Sequence, residues 1–512
     1  MTGPAPLAGR RVVVAGIGVS GFAAATALAE RDAQVVVVDE RAGAVQRERA
    51  ATLTDLGATV RLGTDSTAIL PEVRGHAPDL VIASPRWRPD EPVLAAAAAT
   101  GTPVWGEAEL AWRLRPAAAA PWLSIAGSNG KSTTARILTA ILAAAGLRAT
   151  TAGSPGSPLL PAVLHAQPYD VIVAELTGAQ LRRAPSVRPA ASACLNIATE
   201  HLDRDRAPAY TADTGLVYGG TERACVYNVA DPVTERLLRE ADVAEGCRAV
   251  GFTLGAPAVS QLGLVDEVLA DRAFIPQRQT SAAELATLDD VRAATGGLLA
   301  PHLVADALAA AALARASGVP PAAVRDGLRG TVPYPHRLTP VAEAGGVRWV
   351  DDSAAVNPHA AGAALAAFES VVWVAGGPSR GVQVDELVRR SAARLRAVVL
   401  CGRDRQPIRA ALARHAPQVP VTDVAVTDTG RVGTTAAGDG PAGAGSSAVM
   451  DAVVEQAAAL ARPGDTVLLA PTACAGAPFG SVAERGDAFA AAVRRRAAVP
   501  GADTPLPSTP GG

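Results

Sequence analysis

Lysine is almost absent from this chain. Of its 47 lysine and arginine residues, one is a lysine, Lys131, and the other 46 are arginines. Chemistry that needs a neutral primary amine has a single side chain to use, because a guanidinium stays protonated. Cysteine is scarce as well. Cys194, Cys225, Cys247, Cys401 and Cys474 are scattered with no CxxC pair, which argues against both a zinc site and a disulfide framework. A net charge of −2 leaves no basic footprint for nucleic acid. No uninterrupted apolar run reaches the ~18–20 residues that span a bilayer. The start, "MTGPAPLAGRRVVVAG", has no apolar core long enough for a signal peptide before its glycine loop. The expectation is a cytoplasmic protein that engages neither nucleic acid nor membrane.

What is present is an ordinary globular composition, 49 % hydrophobic and 19 % charged over 512 residues. That length holds roughly two to four domains. Short β-branched runs ("RVVVAGIG", "AQVVVVDE", "DLVIAS") alternate with alanine-rich helical stretches such as "SGFAAATALAERD", the pattern of βα units. An alanine and proline stretch, "RLRPAAAAPW" (113–122), reads as a linker. A second α/β series follows through "WLSIAG", "YDVIVAEL", "ASACLNI", "HLVADALAAAALARASGV" and "PAAVRDGLRG". A third opens after "TVPYPHRLTP" with "VRWVDDS", "SVVWVAGG", "AVVLCG" and "DTVLLAP". Within it, residues 429–449 are rich in Gly, Ala and Ser and read as a flexible insertion. The expected fold is α/β in three domains: Rossmann-like over 1–117, P-loop ATPase-like over 118–331, and Rossmann-like over 332–498. A Pro/Gly-rich tail, 499–512, is expected to be disordered.

The lone lysine sits in "SIAGSNGKSTTARIL", between a strand and a helix. Small residues there let backbone N–H groups of Gly127, Ser128, Asn129 and Gly130 close around an oxyanion, with the positive end of the following helix behind them. Lys131 supplies a compact charge on a flexible stem, and the wider fork of arginine is a poor substitute in so tight a loop. Ser132 or Thr133 can offer a hydroxyl to Mg²⁺. The strict G-x-x-x-x-G-K-[ST] pattern fails at its first position, Ile125, and the bland alternative is a Gly/Ser turn before a helix. The exclusive use of lysine at this one position favours a nucleotide phosphate.

"GIGVSG", residues 16–21, fits G-x-G-x-x-G between a strand and a helix, with Asp39 ending the next strand. Gly16, Gly18, Val19, Ser20 and Gly21 can cradle a diphosphate, which suits a nucleotide sugar or an NAD(P) cofactor. Helix–strand packing alone is a third explanation of the glycines. NAD(P) would make the chain an oxidoreductase, yet no hydride-transfer constellation accompanies the loop.

"SIAGSNGKST" resembles the Mur ligase family, which joins amino acids to peptidoglycan precursors. "VVVAGIGVSGFAAATALAERDAQVVVVDER", "WGEAELAWRL", "TERACVYNVADP", "PHRL", "WVDDS" and "ERGDAF" extend the likeness, in order, along nearly the whole chain. They are most similar to the D-glutamate-adding branch of actinobacterial type. The resemblance implies ATP-dependent amide formation through an acyl phosphate, with ATP and Mg²⁺ as cofactors. It also implies a UDP-sugar donor, an amino-acid acceptor and a monomeric state. By the same resemblance the first glycine loop holds the donor diphosphate, with Asp39 and Arg41 near the uridine. Lys131, Glu175 and His201 are the implied catalytic residues, and Ser132, Glu175 and His201 the implied metal ligands. Arg337, beside His336, and Asp352 are implied contacts to the nucleotide.

Several positions depart from the family pattern. Thr214 stands where the family carries a lysine that reacts with CO₂ to form a metal-bridging carbamate, and no second lysine exists to replace it. Glu200 replaces an aspartate, Ala354 a lysine, and Arg380 another lysine. Thr177, Gly178, Ala179 and Gln180 replace Ser-Ser-Phe-Gln. Ala475, Ala477 and Val482 thin the stretch that would bind the acceptor, Leu303 and Asp306 replace asparagines, Ser154 replaces an asparagine, and Arg86 replaces a glycine. These departures point to altered substrate use or to a nucleotide-binding paralogue without turnover.

Overall fold

The computed structural model describes residues 7–154, 156–199, 206–378, 383–402, 404–426, 432–434, 445–476 and 478–498. Twenty-one strands in these residues form three sheets. In the first lie β1 (Arg11–Ala15), β2 (Gln34–Asp39), β3 (Thr59–Leu62), β4 (Leu80–Ala83) and β5 (Val104–Trp105), in the order β3-β2-β1-β4-β5. Every pairing in it is parallel. The second takes β6 (Trp122–Ala126), β7 (Ala149–Ala152), β8 (Val171–Glu175), β9 (Ala191–Cys194), β10 (Ala224–Asn228), β11 (Arg248–Phe252), β12 (Gln261–Val265), β13 (Val268–Asp271) and β14 (Ala283–Thr287). Its order is β14-β13-β12-β11-β10-β9-β6-β8-β7. The third has β15 (Thr339–Ala344), β16 (Val347–Asp351), β17 (Val371–Ala375), β18 (Leu395–Cys401), β19 (Val421–Val426), β20 (Val432–Thr434) and β21 (Thr466–Leu469), ordered β15-β16-β21-β17-β18-β19-β20.

The near-continuous apolar runs of β1, β2, β6 and β17 become strands covered on both faces, as parallel sheets require; β6 and β17 are buried at every residue. In the first two sheets the chain reverses its direction of growth beside the strand that carries a glycine loop. β1 lies between β2 and β4, and β6 lies between β8 and β9. The loop that leaves each central strand therefore opens into the crevice where open α/β sheets bind ligands.

The chain divides into two compact units. One comprises Met1–Ile197, Ala207–Thr287 and Ala305–Gly330, and the other Ala198–Arg206, Leu288–Val304 and Thr331–Gly512. The first two sheets share the first unit because one apolar core runs through both, from Val12, Val14 and Val37 to Trp122, Ile172 and Cys194. Trp112 and Trp122 meet edge-on with ring centroids 5.0 Å apart, and Arg115 lies over the Trp112 ring. The stretch read as a linker is thus pinned at both ends.

Two further stretches carry strands that the sequence pattern does not reveal. The antiparallel ribbon β12–β14 has no strong alternating pattern that would mark it as strands. Of the insertion at 429–449, residues 432–434 pair antiparallel with β19 and helix Ser446–Leu460 begins before its end. Residues 429–431 and 435–444, and the tail from 499, lie outside the described residues.

Candidate nucleotide and donor sites

β6 delivers the chain into the lysine loop, and helix Lys131–Ala144 leaves it. Gly127 and Gly130 both take left-handed φ, +138° and +87°. A Cβ on Gly130 would also come within 2.2 Å of Asp306 Oδ1, so glycine is needed there twice over. Asn196, just beyond β9, shapes the loop. Its Oδ1 accepts the Asn129 N–H at 3.0 Å, its Nδ2 donates to Asn129 O at 3.1 Å, and its own carbonyl accepts the Ser128 N–H at 2.9 Å. The Ser128 and Tyr210 hydroxyls meet at 2.7 Å. Lys131 folds back over the loop, with Nζ donating to Gly127 O at 2.7 Å and to Ser128 O at 3.3 Å. That places the ammonium at the mouth of the cradle, where a phosphate oxygen can displace neutral carbonyl partners.

At the helix N-terminus Ser132 donates its hydroxyl to Glu175 Oε1 at 2.8 Å; Thr133 follows on the same helix. Glu175 ends β8 and is 5 % exposed. A carboxylate and a hydroxyl in contact beside a phosphate loop are hard oxygen donors of the kind Mg²⁺ takes, so the residues present fit that ion. His201, with Glu200, Asp203 and Arg204, lies outside the described residues. The turn after β8 is closed by a capping box between Thr177 and Gln180, and Gln180 Nε2 donates to Gly153 O at 2.9 Å.

Thr214 is 1 % exposed on helix Ala207–Gly215, and its hydroxyl donates to Tyr210 O of the same helix at 2.8 Å. A Cβ on Gly178 would sit 3.0 Å from Asp213 Cβ and 3.1 Å from Thr214 N. The small residues at 178 and 214 therefore let two helical segments touch backbone to side chain, and they leave no anionic oxygen at 214. Neighbouring Asp213 pairs with Arg182 at 2.7 Å.

In the first glycine loop the three glycines have separate reasons. Gly21 is a packing glycine, since its Cβ would lie 1.8 Å from Gly16 O. Gly16 has φ +97° and is crowded by Ser84 Oγ and Trp87 Nε1 at 2.8 Å. Gly18 faces open space, with no heavy atom within 4 Å of its Cβ position, and Val19 and Ser20 begin the helix Val19–Ala29. Asp39 is 2 % exposed and accepts the N–H groups of Ile17 and Arg41, both at 2.9 Å, while Arg41 Nε reaches it at 3.3 Å. Asp39 Oδ2 thus binds the glycine loop at Ile17, while Oδ1 binds Arg41 just beyond β2. Arg49 donates to Ile17 O at 3.0 Å. Arg86 is exposed. Arg49, Trp87 and Tyr210 carry no sequence signal, because only folding brings them to these loops.

Arg337, Asp352 and His336 belong to the second unit. Asp352 is buried, accepts the Leu338 N–H at 3.2 Å, and has its pKa pushed up to about 7 by burial, which Leu338 and Arg337 only partly offset. His336 Nδ1 lies 2.7 Å from Asp351 Oδ2, and that bond raises the imidazole pKa. Gly486 makes room for the pair, since a Cβ there would fall 2.1 Å from His336 Nδ1. Burial, with His359 and Arg337 nearby, lowers His302 to about 4. Ala354 N donates to His336 O at 3.0 Å, Val482 opens helix Val482–Ala497, and Arg380 and Ala477 lie outside the described residues.

A parallel-rich α/β architecture with a phosphate loop, its lysine, and a hydroxyl–carboxylate pair at the helix start defines a nucleotide-phosphate-binding enzyme class. The chain belongs to the Mur ligase family. The profile of the Mur ligase middle domain matches residues 125–314, and that of the Mur ligase glutamate ligase domain matches 336–473. UDP-N-acetylmuramoylalanine–D-glutamate ligase of Streptomyces avermitilis is 52 % identical over 487 residues, 95 % of this chain and 98 % of the relative. The like-named protein of Streptomyces coelicolor is 51 % identical, covering 96 % and 99 %. The fold matches a pseudomurein peptide ligase type C from Methanothermus fervidus with TM-score 0.53 at 15 % identity, covering 95 % and 100 % of the two chains. It also matches UDP-N-acetylmuramate-alanine ligase of Thermotoga maritima at 0.51 and 16 %, covering 95 % and 99 %. No helix among the described residues is long and apolar enough to cross a membrane.

Proposed function

We propose that this chain is an ATP-dependent ligase of peptidoglycan-precursor synthesis that joins D-glutamate to UDP-N-acetylmuramoylalanine. The observation that carries the reading is the Ser132–Glu175 contact beside the Lys131 cradle. Phosphoryl transfer needs charge stabilisation and positioning more than covalent help from the protein. The N–H groups of Gly127 and Gly130, with Lys131 Nζ, would bind the ATP phosphates as the alanyl carboxylate takes the γ-phosphoryl group; the Ser128 and Asn129 N–H groups, expected from the sequence to join them, are taken by Asn196. The amine of the acceptor then displaces phosphate from that acyl phosphate. Ser132, Glu175 and His201 would hold Mg²⁺, which when bound supplies positive charge between phosphate and carboxylate. Gly16 to Gly21 would receive the donor diphosphate, with Asp39 fixing the loop and Arg41 near the uridine. Arg337 and Asp352 are proposed nucleotide contacts. The division at 117 and 331, a cytoplasmic location and a monomeric state belong to the same reading.

Thr214 supports a second version, in which turnover is slow or redirected to another amine, because that position supplies no charged metal ligand. Phosphate release from ATP, Mg²⁺ and UDP-N-acetylmuramoylalanine, measured with D-glutamate and then with a panel of amino acids, decides between them. Release that depends on D-glutamate and vanishes in Lys131→Ala supports the first. Release with a different amine supports the second. Tight ATP binding without turnover on any of them leaves a nucleotide-binding paralogue.

A further inference from the structure

Arg183 follows the short helix Gly178–Leu181 just beyond Glu175, yet its guanidinium reaches the segment after β4 that packs against the first glycine loop. It is 6 % exposed. Its Nη1 donates to Ser84 O at 3.2 Å and its Nη2 to Trp87 O. Those two residues are the walls of the glycine loop: the Ser84 N–H bonds to Ala15 O at 3.0 Å, Ser84 Oγ donates to Gly16 O at 3.3 Å, and Trp87 Nε1 fills the space a Cβ on Gly16 would need. Its backbone is held too, with Arg183 O accepting the Gly106 N–H at 2.8 Å and Gly106 leaving room for the Arg183 Cβ.

The charge on this side chain makes no direct contact with a carboxylate among the described residues, although Glu91 and Asp213 lie near enough to favour it. Asp213 is paired with Arg182 instead. Burial draws the Arg183 pKa down to about 10, so it stays cationic at neutral pH. A buried cation satisfied only by carbonyl oxygens is costly, and an anion bound in the adjoining crevice would offset that cost.

We propose that Arg183 is a positioning residue for the donor: it clamps segment 84–87 against the glycine loop and supplies the buried positive charge that a nucleotide diphosphate meets there. The inference rests on the reading that Gly16 to Gly21 bind the donor, and it adds a residue from the nucleotide side of the same unit.

The test is calorimetric titration of the full chain with UDP-N-acetylmuramoylalanine, with UDP, and separately with ADP, for wild type, Arg183→Met, Arg183→Gln, Arg183→Lys and Gly18→Val. Loss of a charge-assisted contact should weaken donor and UDP binding roughly 10- to 100-fold in Arg183→Met, leave ADP affinity unchanged, and be partly restored in Arg183→Lys. If Arg183→Met does not fold, Arg183→Gln, which keeps hydrogen bonds without charge, carries the comparison. Gly18→Val fills open space at φ −62° and should abolish donor binding alone. Unchanged donor binding in Gly18→Val defeats the glycine-loop reading. Donor binding lost in Gly18→Val but within twofold of wild type in Arg183→Met or Arg183→Gln defeats the role of Arg183. An equal loss for donor and ADP makes Arg183 merely structural and overturns it too.

Discussion

Gly130→Ala separates two costs at the phosphate loop. The first is conformational: φ at Gly130 is +87°, and an L-residue there costs roughly 1–2 kcal/mol. The second is steric, because the new methyl would lie 2.2 Å from Asp306 Oδ1 and 3.0 Å from its Cγ. Asp306 is 6 % exposed on helix Pro301–Ala316, so it cannot swing freely into solvent, and displacing it should cost a further ~1–3 kcal/mol. Gly146 is the control. Its φ is +82° with nothing within 4 Å of the added carbon, so Gly146→Ala carries the first cost alone. Scanning calorimetry of the first unit's transition should therefore place Gly130→Ala about 1–3 kcal/mol below Gly146→Ala. Only Gly130→Ala should also lose ATP affinity. Adding Asp306→Ala should recover part of the difference, a non-additivity expected of groups in contact. Equal losses in the two alanine variants, or strict additivity in the double variant, would refute the crowding argument.

Lys131→Arg should not rescue Lys131→Ala: both are expected to weaken ATP binding roughly 100-fold by calorimetry, since the loop suits a point charge. Ser132→Ala removes the hydroxyl held 2.8 Å from Glu175 and should raise the Mg²⁺ concentration for half-maximal turnover about tenfold, with ATP affinity measured without metal unchanged. In the second unit the buried Asp352 and the half-buried His302 give opposite pH slopes. Asp352 is raised from 3.8 to about 7, so its stabilising contribution is complete below pH 3.8 and lost as pH rises to 7, a span of up to about 4 kcal/mol. His302 is lowered from 6.5 to about 4, so its contribution is present above pH 6.5 and lost as pH falls to 4, up to about 3 kcal/mol. The slopes nearly cancel in the wild type. Urea midpoints of the second unit should therefore rise with pH in Asp352→Asn and fall with pH in His302→Asn between pH 4 and 7; a flat profile in either contradicts the assignment.

The phosphate loop was legible because a strand, a small-residue loop, a lysine and a helix are contiguous, and because arginine had taken every other basic position. The first glycine loop was legible in outline but not in use: spacing cannot tell that Gly21 is demanded by the Gly16 carbonyl, Gly16 by Ser84 and Trp87, and Gly18 by neither. The ribbon β12–β14 escaped because its hydrophobic alternation is weak and its partners lie in tertiary space.

By itself the sequence determined the class of the segments outside β12–β14, the two loops, and the chemistry that one amine allows, since these depend on residues adjacent in the chain. It also determined that Thr214 offers no amine. Only the tertiary structure decided that Ser132 meets Glu175, that Asn196 and Tyr210 brace the lysine loop, and that Arg183 reaches Ser84 and Trp87. Those pairs are separated by 43 to 99 positions along the chain. Hydrogen bonds and burial act over a few ångströms, so which distant residues they join is set by how strands order in the sheet, and no local pattern records that.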